Sequence, residues 1–386
     1  MNLDLNAKVI GGGATGALLS LALCKEKLNV SIFENQTYES IISRDRVYAI
    51  THSSRRLFQK LNIWSEIREY LNPFNSLIIE DSIINKKFLL ETKDLSIDSQ
   101  KYNAIGWTID HKELMNFLFN KLGNYPNIKL YFDCKQSFSD DNIGYDYYFA
   151  ADGLSSLYRT KWNIKRHYFR YHQACVTFKI ILRGDNLNQA YEIFKQDGPM
   201  AILPVKAGQY QIVLSSSLQK CEQIINLSTS RFFDYIAPLF PSHLEVDQLV
   251  NQPQSFPLCF SLARNLRKGN KFLLGESAHS LHPVGGQGLN LSIRDIDSII
   301  TMIYHDNKNN RKYHVKKINR DNYSCRRYID IIVTSLLTDS LVRFFSNKNT
   351  VLTILRRLVF IFLIKFTYLR KIILSIMTDG ILDIKL

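Results

Sequence analysis

Apolar positions in the first part of the chain follow two patterns. Short continuous apolar runs at Ala7–Ile10 and Val30–Phe33 predict two buried strands. Between them, Ala17–Leu28 is rich in Ala, Leu and Lys, which favours a helix. Strand, helix and strand in this order predict a βαβ unit with parallel strands.

The middle of the chain has a different pattern. Residues 167 to 260 alternate in short strand-like runs. Examples are Cys175–Leu182, Ala201–Val205, Tyr210–Leu214 and Ser255–Ser261. This pattern predicts an antiparallel sheet, which we expect to form the floor of a substrate pocket.

The chain is strongly basic, with 386 residues, a formal net charge of +14 and a pI near 9.4. Such a charge suits nucleic acid, an anionic membrane, an anionic cofactor or simply a biased composition. No nucleic-acid-binding motif accompanies it, so we expect no nucleic-acid partner. The six cysteines form no CxxC pair, which argues against a zinc site and suits a reducing compartment. The first predicted strand follows Met1 so closely that we expect no signal peptide.

A glycine motif follows the first strand. Gly11, Gly13 and Gly16 have the spacing G-x-G-x-x-G, and Glu34 ends the second strand about 20 residues later. The glycines allow a tight turn, a close approach of pyrophosphate to the backbone, and close packing of helix on strand. The helix N-terminus attracts the phosphates, and Glu34 is placed to accept hydrogen bonds from ribose hydroxyls. The alternative is a glycine turn that binds nothing.

A second motif, AADGLSSLYR, follows an apolar run at 147–151. Asp152, Gly153, Ser156 and Arg159 have the spacing D-G-x-x-S-x-x-R. An Asp-Gly turn is common by itself. The alternative to a cofactor role is therefore that Asp152 caps a helix while Arg159 is solvated.

The most informative stretch is residues 271–297, KFLLGESAHSLHPVGGQGLNLSIRDID. It predicts a strand ending at Gly275, an acidic residue, a His-Pro elbow, a glycine-rich bend and a helix. This layout suits a large anionic cofactor held by backbone N–H groups. Together with the N-terminal glycine motif, it indicates a flavin enzyme.

These motifs, with DRVYAI at 45–50 and GPMAILPV at 198–205, resemble the FAD-dependent aromatic hydroxylases of the para-hydroxybenzoate hydroxylase type. The resemblance is closest to the ubiquinone-biosynthesis hydroxylases, covers roughly residues 7–345, and is most specific at 273–295. The residues that it places at the cofactor are Gly11, Gly13, Ala14, Thr15, Gly16, Glu34, Arg46, Asp152, Arg159, Gly275, Glu276, Pro283, Gly285, Gly286, Gly288, Leu289 and Asn290.

The resemblance also implies roles within this set. The first glycines hold the FAD pyrophosphate, Glu34 binds the adenosine ribose, and Arg46 contacts the cofactor. Asp152 and Arg159 serve FAD and the nicotinamide cofactor. The loop at 283–288 packs beside the isoalloxazine ring, and the helix that follows directs its positive end at the flavin.

One departure from the family pattern Gly-Asp-Ala-Ala-His matters for the cofactor. Here the sequence is GESAH at 275–279, so Glu276 stands where the family has Asp. Glu keeps the charge but extends the carboxylate by about 1.5 Å. We expect this to change FAD binding by roughly 1–3 kcal/mol.

The resemblance implies an α/β fold with a Rossmann-like FAD-binding domain, an antiparallel-sheet substrate domain and C-terminal helices. The predicted segments are 1–75, 100–165 and 262–310 for the FAD-binding domain, 76–99 and 166–261 for the substrate domain, and 311–386 for the helical region.

No side chain is predicted to be catalytic, because the flavin carries the chemistry in this family. Reduced flavin and O2 form a C4a-hydroperoxyflavin that transfers oxygen to a phenol ring, and NAD(P)H is the reductant. His279 and His282 lack a third ligand, so we predict no metal site. Both histidines are expected to pack, and His279 acts on the cofactor at most through another residue.

The C-terminal segment is apolar with basic interruptions. These are Arg356, Arg357, Lys365, Arg370 and Lys371, with no acid between them and Asp379. Basic amphipathic helices on an anionic membrane, a helical pair packed on the core, and a partner-protein face all fit this pattern. The apolar run Leu358–Ile364 is too short to span a bilayer. We expect a cytoplasmic protein, peripheral on the inner face of the cytoplasmic membrane, with quinone-synthesis proteins as further partners.

We therefore predict an FAD monooxygenase that uses NAD(P)H and O2 to hydroxylate a polyprenylated phenol in ubiquinone biosynthesis. One alternative is another FAD oxidoreductase of this fold, such as a soluble-aromatic hydroxylase or an isoprenoid reductase. The other is a catalytically degenerate scaffold or lipid-binding paralogue, which Glu276 motivates. The ring position and the choice of NADH or NADPH stay open.

Overall fold

A computed structural model of the chain describes residues 5–134, 144–185, 187–206, 208–308, 322–347 and 349–380. The strands, in chain order, are β1 (Asn6–Ile10), β2 (Asn29–Phe33), β3 (Val47–Ile50), β4 (Asn72–Phe74), β5 (Ser76–Asp81), β6 (Lys86–Glu91), β7 (Gly106–Asp110), β8 (Ile128–Tyr131), β9 (Tyr147–Ala150), β10 (Arg166–Gly184), β11 (Gln189–Lys195), β12 (Gly198–Pro204), β13 (Gln209–Ser217), β14 (Leu244–Leu249), β15 (Gln254–Ala263), β16 (Arg267–Lys268), β17 (Lys271–Leu273) and β18 (His279–Ser280).

The helices, in chain order, are α1 (Ala14–Lys25), α2 (Tyr38–Ile42), α3 (His52–Lys60), α4 (Trp64–Ile67), α5 (Ile97–Gln100), α6 (His111–Gly123), α7 (Leu157–Lys161), α8 (Leu218–Ile225), α9 (Thr229–Ile236), α10 (Gln287–Lys308), α11 (Asn322–Phe345), α12 (Thr350–Lys365) and α13 (Thr367–Asp379). Short 3-10 turns, among them Gly275–Ser277 and Val284–Gly286, connect some of these elements.

Within the described residues, one sheet has six strands in the order β16-β17-β9-β1-β2-β8. All neighbours in it are parallel except β16 and β17. Strand β9 is buried at every residue, and β1 at every residue after its first. Such continuous apolar strands are typical of a parallel sheet covered on both faces. This confirms the predicted α/β class and its Rossmann-like unit.

Helix α1 lies at the centre of this unit and packs against α6 and α10. Nearly all of its residues are buried, as expected for a helix that is apolar on every side. It begins at Ala14, earlier than predicted, because Gly13 already adopts the extended conformation of an N-cap. It ends at Lys25, before the predicted Leu28, because Lys27 has a positive φ of 67° and turns the chain.

The second sheet has nine strands among the described residues. Its order is β18-β15-β10-β13-β12-β11-β5-β6, with β14 beside β10. Every neighbouring pair is antiparallel except β11 and β5. Most of its strands come from the region 167–260, which agrees with the predicted antiparallel sheet, while β5 and β6 extend one edge.

The C-terminal helices pack one face on the core and expose the other. Phe360, Leu363 and Leu374 join the cluster around β6, and Arg356 is fully buried, with its Nη1 3.2 Å from Asp81 Oδ2. Among the described residues, no helix is both long enough and apolar enough to cross a membrane. The domain boundary predicted between residues 310 and 311 lies outside the described residues.

Candidate functional site

Loops that follow four neighbouring strands meet at one edge of the six-stranded sheet. Strand β17 leads to Gly275, β9 to Asp152, β1 to Gly11 and β2 to Glu34. The carboxyl ends of parallel strands share one edge of a sheet, which is where α/β proteins bind ligands. The parallel order therefore brings the sequence motifs together. A Cβ on Gly275 would lie 3.1 Å from the Thr15 side chain, so the first and third motifs are in contact.

The glycines of the first motif differ in their surroundings. Gly11 has a φ of 99°, and a Cβ there would lie 2.4 Å from the Ala151 carbonyl oxygen. A Cβ on Gly16 would lie 1.9 Å from the Gly11 carbonyl oxygen. A Cβ on Gly13 would instead have no heavy atom within 4 Å, and no side chain caps α1 at this point. The space beside Gly13, at the start of α1, is thus not filled by the described residues.

Glu34 is fixed at the end of β2 beside this motif. Its Oε2 accepts a hydrogen bond from the Gly12 N–H at 2.6 Å, and its Oε1 accepts one from the Gln36 N–H at 2.9 Å. The carboxylate is buried, with 6% of the residue exposed. This is the geometry expected of a ribose-binding acid next to a glycine loop.

The second motif combines the two alternatives that its sequence left open. Asp152 Oδ2 accepts the N–H groups of Leu157 and Tyr158, at 3.0 and 3.3 Å, and so binds the start of α7. Its Oδ1 is buried without a hydrogen-bond partner among the described residues, and burial raises the pKa of this carboxyl. Arg159 is buried rather than solvated, and its Nη1 donates to the Ser277 carbonyl at 3.0 Å. Arg159 therefore ties the second motif to the third.

The loop at 283–288 is held from the FAD-domain side by Asn290. The Asn290 Nδ2 donates to the carbonyls of Ala49 and Gly286, at 2.7 and 2.9 Å, while its Oδ1 accepts from the Thr51 N–H. Gly285 and Gly286 have φ values of 70° and 62°, which L side chains rarely adopt. The Asn290 side chain thus shapes the loop that the first turn of α10 follows.

Two other elements contact the same loop. The Gly285 N–H donates to Glu192 Oε2 on β11 at 3.4 Å, and Gln287 Nε2 donates to the Met377 carbonyl on α13 at 3.2 Å. The loop therefore lies between the first domain, the antiparallel sheet and the C-terminal helices.

A buried ionic network supports the third motif from α10. Asp295 Oδ2 accepts the Gly275 N–H at 3.0 Å and lies 2.7 Å from His279 Nε2. Its Oδ1 accepts from Arg327 Nε at 2.8 Å, and Arg327 also pairs with Asp330. Burial would raise the pKa of Asp295, but the charges of His279 and Arg327 outweigh it and lower the pKa to about 2. His279 therefore acts on the turn at Gly275 through Asp295.

Arg46 and Glu276 both lie within electrostatic range of Tyr48. Burial raises the pKa of the Tyr48 hydroxyl, the nearby charge of Arg46 lowers it, and that of Glu276 raises it. Both charged side chains are exposed at the site edge. The DxR element and the third motif thus belong to one site.

His282 packs against Tyr171, with ring centroids 5.5 Å apart. Neither of its ring nitrogens has a hydrogen-bond partner in the part of the chain that the structure describes. Burial lowers its pKa to about 4, so the ring is neutral. No group of three or more His, Cys, Asp or Glu among the described residues is arranged to hold a metal ion.

Comparisons with known proteins agree with this geometry. Residues 127–311 match the family described as "FAD binding domain". The chain is 24% identical to 3-demethoxyubiquinol 3-hydroxylase of Escherichia coli over 91% of this chain and 92% of that protein. It is 22% identical to ubiquinone hydroxylase UbiL of Rhodospirillum rubrum, over 91% and 84% of the two chains. The crystal structure of p-nitrophenol 4-monooxygenase PnpA of Pseudomonas putida shares the fold, with a TM-score of 0.77, 16% identity and 97% of both chains covered.

The chain is an FAD-dependent monooxygenase with a matched FAD binding domain, and it is similar over most of its length to ubiquinone-biosynthesis hydroxylases. FAD is its cofactor, and the site fits this dinucleotide. The space at Gly13 admits a pyrophosphate next to the helix N-terminus, and the Glu34 carboxylate suits the adenosine ribose. The unpartnered Asp152 Oδ1 is a further buried acceptor at the same edge. The comparisons confirm the resemblance found in the sequence.

Several residues that build this monooxygenase site were assigned no role from the sequence. Asp295 lies in the quoted motif, but Arg327 comes 32 residues later and reaches it only in the fold. Met377 and Glu192 come from the C-terminal helices and the antiparallel sheet. The sequence did offer a signal for Asp295. It lies three residues after Ser292, so both side chains are on the face of α10 that is turned towards Gly275.

Proposed function

We propose that this monooxygenase hydroxylates the ring of a polyprenylated phenol in ubiquinone biosynthesis, with NAD(P)H as reductant. The names of the curated relatives support the pathway. The substrate gains one oxygen atom from O2, the other leaves as water, and NAD(P)H supplies two electrons. FAD, when bound, accepts hydride and activates O2.

The predicted residues are proposed to hold FAD in the following way. Backbone N–H groups at 13–16 bind the pyrophosphate, Glu34 binds the ribose, and Asp152 faces the cofactor with its unpartnered oxygen. The backbone of 283–289 lines the isoalloxazine ring. Arg159 and Asn290 act by positioning the loops, since their side chains bind protein carbonyls.

The observation that supports a substrate dissolved in lipid is the position of α13. On its inner side Met377 contacts the loop at 285–287. Helices α12 and α13 together have an apolar outer surface. Its most exposed apolar side chains are Val351, Ile354, Ile361 and Tyr368. An apolar outer surface next to the reaction centre suits a substrate that is dissolved in lipid.

A peripheral location on the inner face of the cytoplasmic membrane is part of this proposal. Arg357, Lys365 and Lys371 are exposed beside the apolar residues, and no acidic residue lies between Arg343 and Asp379. Apolar and basic side chains together favour an anionic bilayer surface. Quinone-synthesis proteins are the further partners proposed for this region. We also propose the predicted three-part division of the chain, because the two sheets separate largely along its boundaries.

The test starts with the visible spectrum of the purified protein and its NAD(P)H oxidation. We expect bound oxidised flavin, and faster NAD(P)H oxidation with 2-geranylphenol than with 4-nitrophenol, matched by a hydroxylated product. Cells that lack the protein should accumulate a quinone precursor with one hydroxyl fewer. Colourless protein that takes up no FAD would indicate a degenerate scaffold, and oxidation without oxygen consumption would indicate a reductase.

A further inference from the structure

Glu192 is a buried carboxyl for which the proposed function gives no role. It lies in β11 and has 9% of its surface exposed. Among the described residues, its hydrogen-bond donor is the Gly285 N–H, at 3.4 Å from Oε2. Gly285 belongs to the loop proposed to line the flavin ring, so this carboxyl reaches the reaction centre from the substrate sheet.

A row of side chains extends from Glu192 across the central strands. Glu192 is in register with Ala201, Ala201 with Val213, and Val213 with Thr177, so the four share one face of the sheet. Ala201, Val213 and Thr177 are partly exposed, whereas the alternate residues of these strands are buried under α8 and α9. The row is therefore less covered than the opposite face of the sheet, and its Glu192 end contacts Gly285. A mostly apolar surface with a carboxyl at one end fits an aromatic ring that carries a hydroxyl.

No cationic side chain in the described part of the chain pairs with this carboxyl. Burial raises the pKa of Glu192 to about 7, and the hydrogen bond from Gly285 offsets only part of that rise. Cys175 on β10 is close enough to sense its charge, but burial raises the pKa of that thiol to about 12, so it is neutral. A carboxyl in this environment changes its charge readily near neutral pH.

The titratable groups on elements packed against β11 are engaged elsewhere. Strand β12 has none. On β5, Glu80 points to the opposite face, since its neighbour Ile79 is the residue in register with Glu192, and Asp81 pairs with Arg356.

Helix α11 also contacts β11. Its acids Asp330 and Asp339 pair with Arg327 and Arg343. Among the described acids of these elements on this side of β11, Glu192 is thus the one without a cationic partner.

We infer that Glu192 accepts the proton of the substrate's phenolic hydroxyl, an inference that rests on the proposed function. The phenolic O–H bond breaks, the proton passes to a carboxylate oxygen, and the electron pair stays on the phenol oxygen. That pair delocalises into the ring and raises the electron density at the carbon that receives oxygen. Glu192 returns the proton to the product hydroxyl before release.

The test uses FAD-loaded full-length protein with 2-geranylphenol as substrate. Glu192→Gln keeps an oxygen that accepts the Gly285 N–H, but it takes no proton. Glu80→Gln is the matched control, because it removes a carboxyl one strand away on the opposite face. For each protein, kcat and KM are measured from about pH 5.5 to about pH 9. The visible spectrum of bound FAD is titrated over the same range.

In the wild type we expect kcat/KM to rise through about pH 7 and then level off, because Glu192 must be ionised to take the proton. Glu192→Gln should lower kcat roughly 10²–10⁴-fold, abolish that rise and leave FAD content unchanged. The flavin spectrum should shift near pH 7 in the wild type and in Glu80→Gln, and not in Glu192→Gln.

Three results overturn the inference. A Glu192→Gln variant that keeps the wild-type rate and pH profile shows that the carboxyl only anchors Gly285. A variant that loses FAD assigns Glu192 to loop positioning. If flavin-loaded wild type does not hydroxylate 2-geranylphenol, the proposed function fails and the inference falls with it. Failure of the proposed function shows in the wild type, whereas failure of the Glu192 inference alone shows in the variant, so the two are distinguishable.

Discussion

The glycines of the first motif are needed for different physical reasons. Gly11 and Gly16 leave no room for a Cβ, because backbone oxygens lie 2.4 and 1.9 Å from where it would be. Gly13 has open space instead, and its φ of −67° is one that any residue adopts. A side chain at Gly13 is therefore compatible with the fold but occupies the space proposed for the pyrophosphate.

Gly13→Val should separate folding from cofactor binding. We expect FAD affinity to fall at least about tenfold, or ~1.4 kcal/mol, with little change in the unfolding of the apoprotein. FAD titration and urea unfolding of the apoprotein measure the two effects. Gly123→Val is the control, since a Cβ there also meets nothing within 4 Å but lies at the end of α6. Equal FAD affinity in both variants would contradict the assignment.

Glu276 replaces the Asp of the family pattern that the third motif resembles. Its carboxylate is exposed at the site edge, in electrostatic reach of Tyr48. Glu276→Asp should tighten FAD binding by roughly 1–3 kcal/mol if the longer side chain weakens a hydrogen bond. Fluorescence titration of the apoprotein with FAD measures this change. Unchanged or weaker binding would show that the surrounding turn already accommodates Glu.

At the scale of elements, α10 supports the loop that precedes it. Asp295 binds both the Gly275 backbone and His279, and Arg327 of α11 binds Asp295 in turn. The carboxylate thus connects two helices with the turn after β17. Removing its charge leaves Arg327 and His279 buried with weaker partners, which is costly in a low-dielectric interior.

Asp295→Asn should therefore destabilise the apoprotein by roughly 3–5 kcal/mol at neutral pH. The pKa of Asp295 is lowered from 3.8 to about 2, so its stabilising contribution is complete above about pH 4 and is lost as the pH falls towards 2. The difference between wild type and variant should shrink over that interval. Urea unfolding at neutral and acid pH measures this difference.

Asp297→Asn provides the control for this network. Asp297 lies on the same helix and pairs with Lys60, but both side chains are largely exposed. An exposed pair of this kind contributes about 0–1 kcal/mol. Equal destabilisation by both variants would show that the Asp295 network adds nothing beyond an ordinary surface ion pair.

At the scale of the whole molecule, the last of the C-terminal helices packs against the loop at 283–288. Arg56 on α3 pairs with Asp379, and Met377 contacts the loop at 285–287. Arg356 and Arg370 point inward to Asp81 and Asp94. These two arginines are thus structural, and the outer face is more apolar than the sequence indicated.

Ile361→Glu should weaken binding to anionic vesicles. Ile361 is 53% exposed on α12, and losing the burial of a large apolar side chain costs about 1.5–3 kcal/mol, or tenfold and more in partitioning. Co-sedimentation with phosphatidylglycerol vesicles measures the bound fraction. Ile97→Glu on α5 is the control, because Ile97 is 87% exposed on a different element. If Ile361→Glu binds the vesicles as well as the wild type does, the proposal that this face lies on a membrane is wrong.

The sequence by itself determined the cofactor and the fold class. The first motif is a local constraint that consists of a strand, spaced glycines and then Glu34. At Gly11 and Gly16 neighbouring backbone lies so close that no side chain fits. The third motif is equally local, from the strand end at Gly275 to the helix that begins at Gln287. Short-range backbone geometry of this kind is readable from a single sequence.

Only the tertiary structure decided which distant residues complete the site. Met377 and Glu192 reach the loop at 283–288 from the C-terminal helices and the second sheet, and Arg327 reaches Asp295 behind the Gly275 turn. Their side chains are ordinary in sequence, and burial beside particular neighbours gives them their roles. The C-terminal arginines show the same principle, since packing and not periodicity determined which of them face the core. Contacts between residues far apart in the chain depend on how elements pack, and no local pattern encodes them.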